Sequence, residues 1–156
     1  MDERQKTKKT IEEVIKLLGI DFDDIEEGLN DTTSSPRFVI RTKESSILIG
    51  ANGANLLALN HVVKKIMSKD KEEEIRFFID VNDYHSKVED DLKNRAKMMA
   101  ERAISLKADV SMDPMSSYER MIVHSVLQDM PNIRTESAGV GRDRHIVIKY
   151  EEKENL

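Results

Sequence analysis

The chain has 156 residues, 38% of them hydrophobic and 35% charged, with 4% aromatics, no Cys, no Trp and a net charge of −5. That length carries one medium core or two small ones, built mostly from aliphatic and Met side chains, and the lack of cysteine excludes disulfides and thiolate metal sites. The acidic balance argues against a nonspecific polycation. No apolar run approaches the roughly 20 residues that span a bilayer, and the start Met1-Asp2-Glu3-Arg4 lacks the apolar stretch of a signal peptide, so a cytoplasmic protein without membrane insertion is expected.

In chain order, Ile11, Val14, Ile15 and Leu18 recur at i, i+3, i+4 and i+7, which predicts a helix over Thr7 to Leu18 stopped by Gly19. Asp21 to Asn30 reads as a ragged acidic edge strand, Asp31 to Pro36 as a turn, and Arg37 to Thr42 as a strand. Next, Ile47 to Leu57 is a hydrophobic run interrupted by Gly50 and Gly53, which reads as helix, glycine loop, helix. The second helix is expected to bury Leu56, Leu59, Val63 and Ile66, and to turn Asn60, His61, Lys64, Lys65 and Ser68 the other way. A turn at Lys69-Asp70-Lys71 and a strand over Glu74 to Val81 follow. Tyr84 to Lys107 reads as one long helix with Val88, Leu92, Ala96, Met99, Ala103 and Leu106 in its stripe. After a short connecting stretch, Ser116-Ser117-Tyr118-Glu119 forms a Ser-x-x-Glu capping box, opening a helix that ends near Asp129, ahead of Pro131. Ile133 to Ala138 and Arg144 to Tyr150 are strand candidates, joined as a hairpin through Gly139 to Asp143.

Two constellations carry chemistry. Glycines let another backbone approach closely, and the helix that follows offers unpaired N–H groups to an anion, so Ile49, Gly50, Ala51, Asn52 and Gly53 suit a clamp on a nucleic-acid backbone. A helix-capping glycine followed by a turn glycine produces the same letters. The second constellation is Arg120 and His124, four residues apart and therefore within roughly 40° of each other around the helix. Arg forks onto phosphates and stacks on bases, and His hydrogen-bonds or stacks, although a surface Arg and His also need no function. Arg134, Arg142, Arg144 and His145 strengthen this surface if the hairpin brings them alongside. Charge follows the same division: residues 31 to 69 carry six Lys/Arg against two acids and residues 95 to 150 carry nine against seven, whereas residues 70 to 94 carry four against nine.

Nothing comparable supports an enzyme. There is no Gly-x-x-x-x-Gly-Lys-Ser/Thr, and His61, His85, His124 and His145 have no metal-ligand spacing, so neither a metal nor a cofactor is expected. Asp80, Asp83 and His85 cluster near a strand end and read as turn and N-cap residues.

The two regions together resemble the Jag family of bacterial RNA-binding proteins, which joins a KH domain to a domain named for an Arg-x-x-x-His motif. The matching residues are Ile49 to Gly53 with the Leu-rich helix after them, then Pro114 to His124, Asp129, Arg134-Thr135-Glu136-Ser137 and Gly139. The resemblance implies an α+β protein: a bacterial-type KH domain over residues 1–82 including the N-terminal helix, a small sheet-and-helix domain over 83–150, and a charged tail over 151–156. It implies that Gly50 to Gly53 hold the backbone of single-stranded RNA, that Arg120 and His124 contact single-stranded RNA or DNA, and that a second KH protein is a candidate partner. A noncatalytic post-transcriptional regulator or RNA chaperone is the function expected; a protein-interaction adaptor whose loop has lost RNA binding is the alternative. Many family members carry basic residues between the glycines where Ala51 and Asn52 are neutral, so the second domain is expected to supply most of the electrostatic attraction. The residues before Ser34 are too few for the extra N-terminal domain and linker of longer members.

Overall fold

The computed structural model describes residues 1–31, 33–69, 72 and 74–153. Part of the expected turn at Lys69 to Lys71, part of the turn at Asp31 to Pro36, and the end of the tail beyond Lys153 lie outside those residues. The chain divides into two compact units, one from Met1 to His85 and one from Ser86 onward. Both combine helices with a small sheet, an α+β arrangement.

In the first unit α1 (Glu3–Leu17) starts earlier than its apolar spacing predicts, because Asp2 and Gln5 form a reciprocal capping box. The Asp2 carboxylate accepts from the Gln5 N–H at 2.8 Å, and Gln5 Oε1 accepts from the Asp2 N–H at 3.1 Å. Its inward face is Thr7, Ile11 and Ile15; Leu18, expected in the stripe, lies beyond the last turn and is exposed. The strands are β1 (Asp24–Leu29), β2 (Pro36–Arg41) and β3 (Phe78–Val81), in spatial order β1-β2-β3. β1 is antiparallel to β2, with Ile25 opposite Ile40, and β3 is parallel to β2, with Phe38 opposite Ile79. The strand expected over Glu74 to Val81 is thus confined to its last four residues. Its pairing with β2 begins at Phe78, while Phe77 sends its ring into the core, edge-on to Phe38 at 6.1 Å.

A parallel pair needs a crossover. Here it consists of α2 (Ser45–Ile49), the Gly50 to Gly53 loop and α3 (Ala54–Met67), which fixes where the glycines sit. Leu48, Leu56, Leu59 and Val63 pack on Ile11, Ile15, Ile40 and Ile79. Two expectations for α3 fail: Ile66 is half-exposed, and Asn60 is buried. Asn60 is retained in an apolar interior because its amide completes the outer edge of β3. Its Oδ1 accepts from the Ile79 N–H at 2.8 Å, and its Nδ2 donates to Ile79 O at 2.9 Å and Leu56 O at 3.0 Å. Asn60→Leu leaves the Ile79 N–H and C=O unpaired in the core, and a loss of about 2–4 kcal/mol is expected, read as a lower urea midpoint with an unchanged m-value. A substitution that left the midpoint in place would remove the edge-completing role.

A chain of charges crosses the sheet. Asp80 is fully buried, with Oδ2 2.8 Å from Arg37 Nη2, and Arg37 also reaches Asp83 at 3.3 Å. Arg41 then joins Asp83 and Glu26, each at 2.7 Å. The Arg41 guanidinium holds the exposed Glu26 carboxyl below its ordinary value, so this outer pair persists at neutral pH and is lost as acid protonates Glu26.

In the second unit α4 (Tyr84–Leu106) and α5 (Ser117–Leu127) pack on β4 (Val110–Ser111), β5 (Ile133–Ala138) and β6 (His145–Tyr150). The sheet order is β4-β6-β5, antiparallel throughout. The two-residue β4, within a stretch expected only to connect helices, is too short to show a sequence pattern. α4 buries Leu92, Ala96, Ala100 and Ala103; Val88 and Leu106, both expected in the stripe, are exposed. α5 opens on the predicted capping box, with Ser116 as N-cap, and buries Ile122, Val123 and Leu127. Its first turn is tied to α4 by Tyr118, whose hydroxyl donates to Glu89 at 2.6 Å; burial and that carboxylate push the phenol up to about 12.

Candidate nucleic-acid interface

In the first unit, α2 ends at Ile49 and the backbone reverses at Gly50, with φ +70° and ψ −176°. Ala51 to Gly53 form one 3-10 turn, closed by the Gly53 N–H donating to Gly50 O at 3.3 Å. Asn52 and Gly53 are both left-handed, at φ +53° and +78°. Ala51 and Asn52 are exposed, while Ile49, Gly50 and Gly53 are half-buried. A Cβ on Gly50 would lie 2.5 Å from Asn55 Cγ, and one on Gly53 would lie 3.1 Å from Tyr84 Cε1. The capping role foreseen from sequence is taken by Gly50. Gly50 closes α2 by donating to Ser46 O, while the Ala54 N–H donates to Ala51 O and no side chain caps the start of α3. An apolar groove of about 360 Å³ adjoins the loop, lined by Val14, Leu18, Ile47, Asn55, Ala58 and Val62 among others.

In the second unit, Arg120 folds back over the start of α5. Its Nη1 donates to Met115 O at 2.7 Å and its Nη2 to Ser117 Oγ at 3.1 Å. One turn on, the half-buried His124 ring reaches β5, with Nδ1 2.6 Å from Thr135 Oγ1 and Nε2 3.3 Å from Ser137 Oγ. Both ring nitrogens are thus engaged, which fixes the ring's orientation. Side chains alternate along a strand. Ile133, Thr135 and Ser137 share the face toward α5, so Arg134 projects from the opposite face, where it pairs with Glu136 and, at 2.6 Å, with Glu151. Arg134 therefore does not join Arg120 and His124. Arg142 and Arg144 do come beside Arg120: all three line one open groove of about 710 Å³, together with Pro114 to Ser117, Glu119 and Gly141. Arg144 Nη1 donates to Gly139 O at 2.9 Å, whereas Arg142 is exposed and has no partner among the described residues. His145 turns instead to Asp143 O at 2.8 Å.

Ser117, Thr135 and Ser137, which hold Arg120 and His124, are site residues that sequence reasoning misses. The i, i+2 spacing of Thr135 and Ser137 is a signal for one shared strand face, but placing that face against α5 requires the fold. Among the described residues, no group of three or more His, Cys, Asp or Glu is placed to hold a metal, and no helix is long and apolar enough to cross a membrane.

A capped helix bearing Arg-x-x-x-His against a three-stranded antiparallel sheet defines the class of this unit: residues 90–150 match the family model of the R-3-H domain, the domain named for that motif. The likeness to known proteins extends well beyond that domain. The chain is 31% identical over 152 residues to the RNA-binding protein KhpB of Clostridium symbiosum, a match covering 93% of this chain and 68% of that protein. It is 27% identical over 124 residues to the RNA-binding protein KhpB of Bacillus subtilis, covering 78% and 60%. Against the KhpB of Lactiplantibacillus plantarum the identity is 29% over 136 residues, covering 86% of this chain and 41% of the relative. The chain thus spans from about two fifths to two thirds of these relatives. It belongs to the KhpB, or Jag, family.

Proposed function

We propose that this chain is a noncatalytic, cytoplasmic RNA-binding protein that grips single-stranded RNA at two places: the Gly50 to Gly53 loop, and the Arg120, Arg142 and Arg144 groove beside the His124 ring. The observation that carries this reading is the convergence of the three guanidinium groups on one open groove at the start of α5. Guanidinium groups fork onto phosphates, and the neighbouring imidazole face offers a stacking surface for an unpaired base. The first unit is read as a bacterial-type KH domain over residues 1–82, supported by its order of α1, β1, β2, α2, glycine loop, α3 and β3. The Arg-x-x-x-His domain then covers 83–150, followed by the charged tail. Two weak contacts on one strand reinforce each other through effective concentration, so neither needs to be tight. With Ala51 and Asn52 neutral, the loop contributes backbone N–H groups and close approach, while the arginines contribute charge.

The test is fluorescence anisotropy of a short labelled single-stranded RNA across a salt series. Arg120→Ala is expected to weaken binding and flatten the slope of log K against log salt by up to about 0.7, the value of one phosphate contact on a single strand. Gly53→Asp, which places a carboxylate at the loop, is expected to weaken binding through the first unit. An Arg120→Ala slope equal to wild type removes Arg120 from the phosphate contacts. A second reading is favoured by the apolar groove beside the neutral loop: an adaptor that docks a protein there, a second KH protein being the candidate. Absence of wild-type RNA binding at low salt would select it.

A further inference from the structure

Val140, at the tip of the β5–β6 hairpin, is 87% exposed, yet the loop that presents it is closely braced. Gly139 sits at φ +86°, and a Cβ there would lie 2.8 Å from Asp143 O, so the chain folds back on itself at a point that admits only glycine without a shift. The Asp143 N–H donates to Val140 O and the Arg144 N–H to Gly141 O, both at 3.3 Å. The Arg144 guanidinium clasps Gly139 O from outside. Gly141, at φ +61°, then passes directly into the wall of the arginine groove. Between the glycines Val140 is extended, at φ −130° and ψ 139°, a conformation natural to a β-branched residue.

A single exposed aliphatic residue means little by itself. This one is held in water by a braced turn and is the direct neighbour of a groove carrying Arg120, Arg142 and Arg144. Guanidinium groups satisfy the phosphates of a single strand and leave its unstacked bases exposed, with apolar faces that gain by leaving water. We infer that Val140 is a base-contacting residue: its isopropyl group packs against a nucleobase of the strand whose phosphates the arginine groove holds. This inference rests on the RNA-binding reading above. It differs from that reading in predicting a contact that carries no charge.

The chain contains no Trp, so Val140→Trp installs a unique fluorophore at the proposed contact. Its emission is expected to be quenched by the same short single-stranded RNA, with a midpoint matching the anisotropy titration. Val140→Ser is expected to weaken binding about fifteenfold, the effect of withdrawing roughly two methyl groups from an apolar contact, with the salt slope and melting temperature of wild type. On an abasic strand of equal length, wild type and Val140→Ser should bind alike. Undiminished RNA affinity in Val140→Ser, or binding by Val140→Trp without quenching, overturns the base contact while leaving the RNA-binding reading intact. If wild type fails to bind RNA at low salt, the reading falls and the contact falls with it.

Discussion

Gly50→Ala is expected to destabilise the first unit by about 2–4 kcal/mol, lowering its melting temperature by roughly 10–25 °C. Two independent costs add. At φ +70° and ψ −176° the residue occupies a region that side chains with a Cβ essentially do not populate. The new Cβ would also lie 2.5, 2.7 and 2.9 Å from Asn55 Cγ, Nδ2 and Cβ. Asn55 is not free to swing away, since its Nδ2 donates at 2.8 Å to Ile47 O, one of the carbonyls at the end of α2. Moving it unpairs a helix terminus. Adding Asn55→Ala to Gly50→Ala should relieve the clash but not the dihedral strain, so only part of the stability should return. Thermal unfolding followed by circular dichroism reads both. A Gly50→Ala protein melting within a few degrees of wild type would mean that the loop can relax out of this geometry.

The same letters hide a different situation at Gly53, whose left-handed φ +78° and ψ 13° is a conformation Asn tolerates. A Cβ there meets the edge of the Tyr84 ring at 3.1 Å rather than a trapped side chain. A substitution at Gly53 therefore tests ligand binding with less damage to the fold, whereas one at Gly50 confounds the two. The motif is legible in the sequence; the inequality of its glycines is not, because it depends on an asparagine two residues beyond the motif.

Elsewhere, what sequence reveals follows the range of the interaction. The Ser116 capping box, the α5 helix and the β5–β6 hairpin are local, and their residues announce them. Asn60 reads as a solvent-facing residue on an amphipathic helix, because helical periodicity carries no knowledge of an unpaired strand edge lying against it. The strand over Glu74 to Val81 reads longer than it is because hydrophobic content does not say how much partner is available. In the arginine groove, Arg134 and Arg144 are equivalent by composition alone. The register that points Thr135 and Ser137 toward α5 sends Arg134 away, while the turn at Gly139 to Arg144 delivers Arg142 and Arg144 beside Arg120.

Asp80→Ala is the other substitution expected to have a large effect, about 3–5 kcal/mol, the range for breaking a buried ion pair by removing one partner. Asp80 acts as more than a counterion. Oδ2 receives Arg37 Nη2, while Oδ1 accepts from the N–H groups of Val81 at 2.8 Å and His85 at 3.0 Å, closing the passage from β3 into α4. That passage contains Asn82 and Asp83, both at positive φ, a region that Asn and Asp enter more readily than other residues with a Cβ. Asn82 is held by exchanging hydrogen bonds with the Thr42 backbone, and Asp83 by the guanidinium groups of Arg37 and Arg41. Asp83 still neutralises Arg37 after Asp80 is removed, which favours the lower half of the range. Asp80→Asn keeps its one oxygen as acceptor for the two N–H groups only by turning its NH2 toward Arg37, so an intermediate loss is expected. Glu26→Ala, at the exposed end of the network, should move the unfolding midpoint far less. The order Asp80→Ala, Asp80→Asn, Glu26→Ala in urea midpoints checks the assignment, and an Asp80→Ala protein as stable as Glu26→Ala would refute it. The consequence reaches the glycine loop, because Tyr84, whose ring lies against Gly53, stands between Asp83 and His85. Releasing Asp80 loosens the turn that aims that ring, so, on the proposal that the loop holds RNA, Asp80→Ala protein that is still folded at low temperature should also bind RNA more weakly.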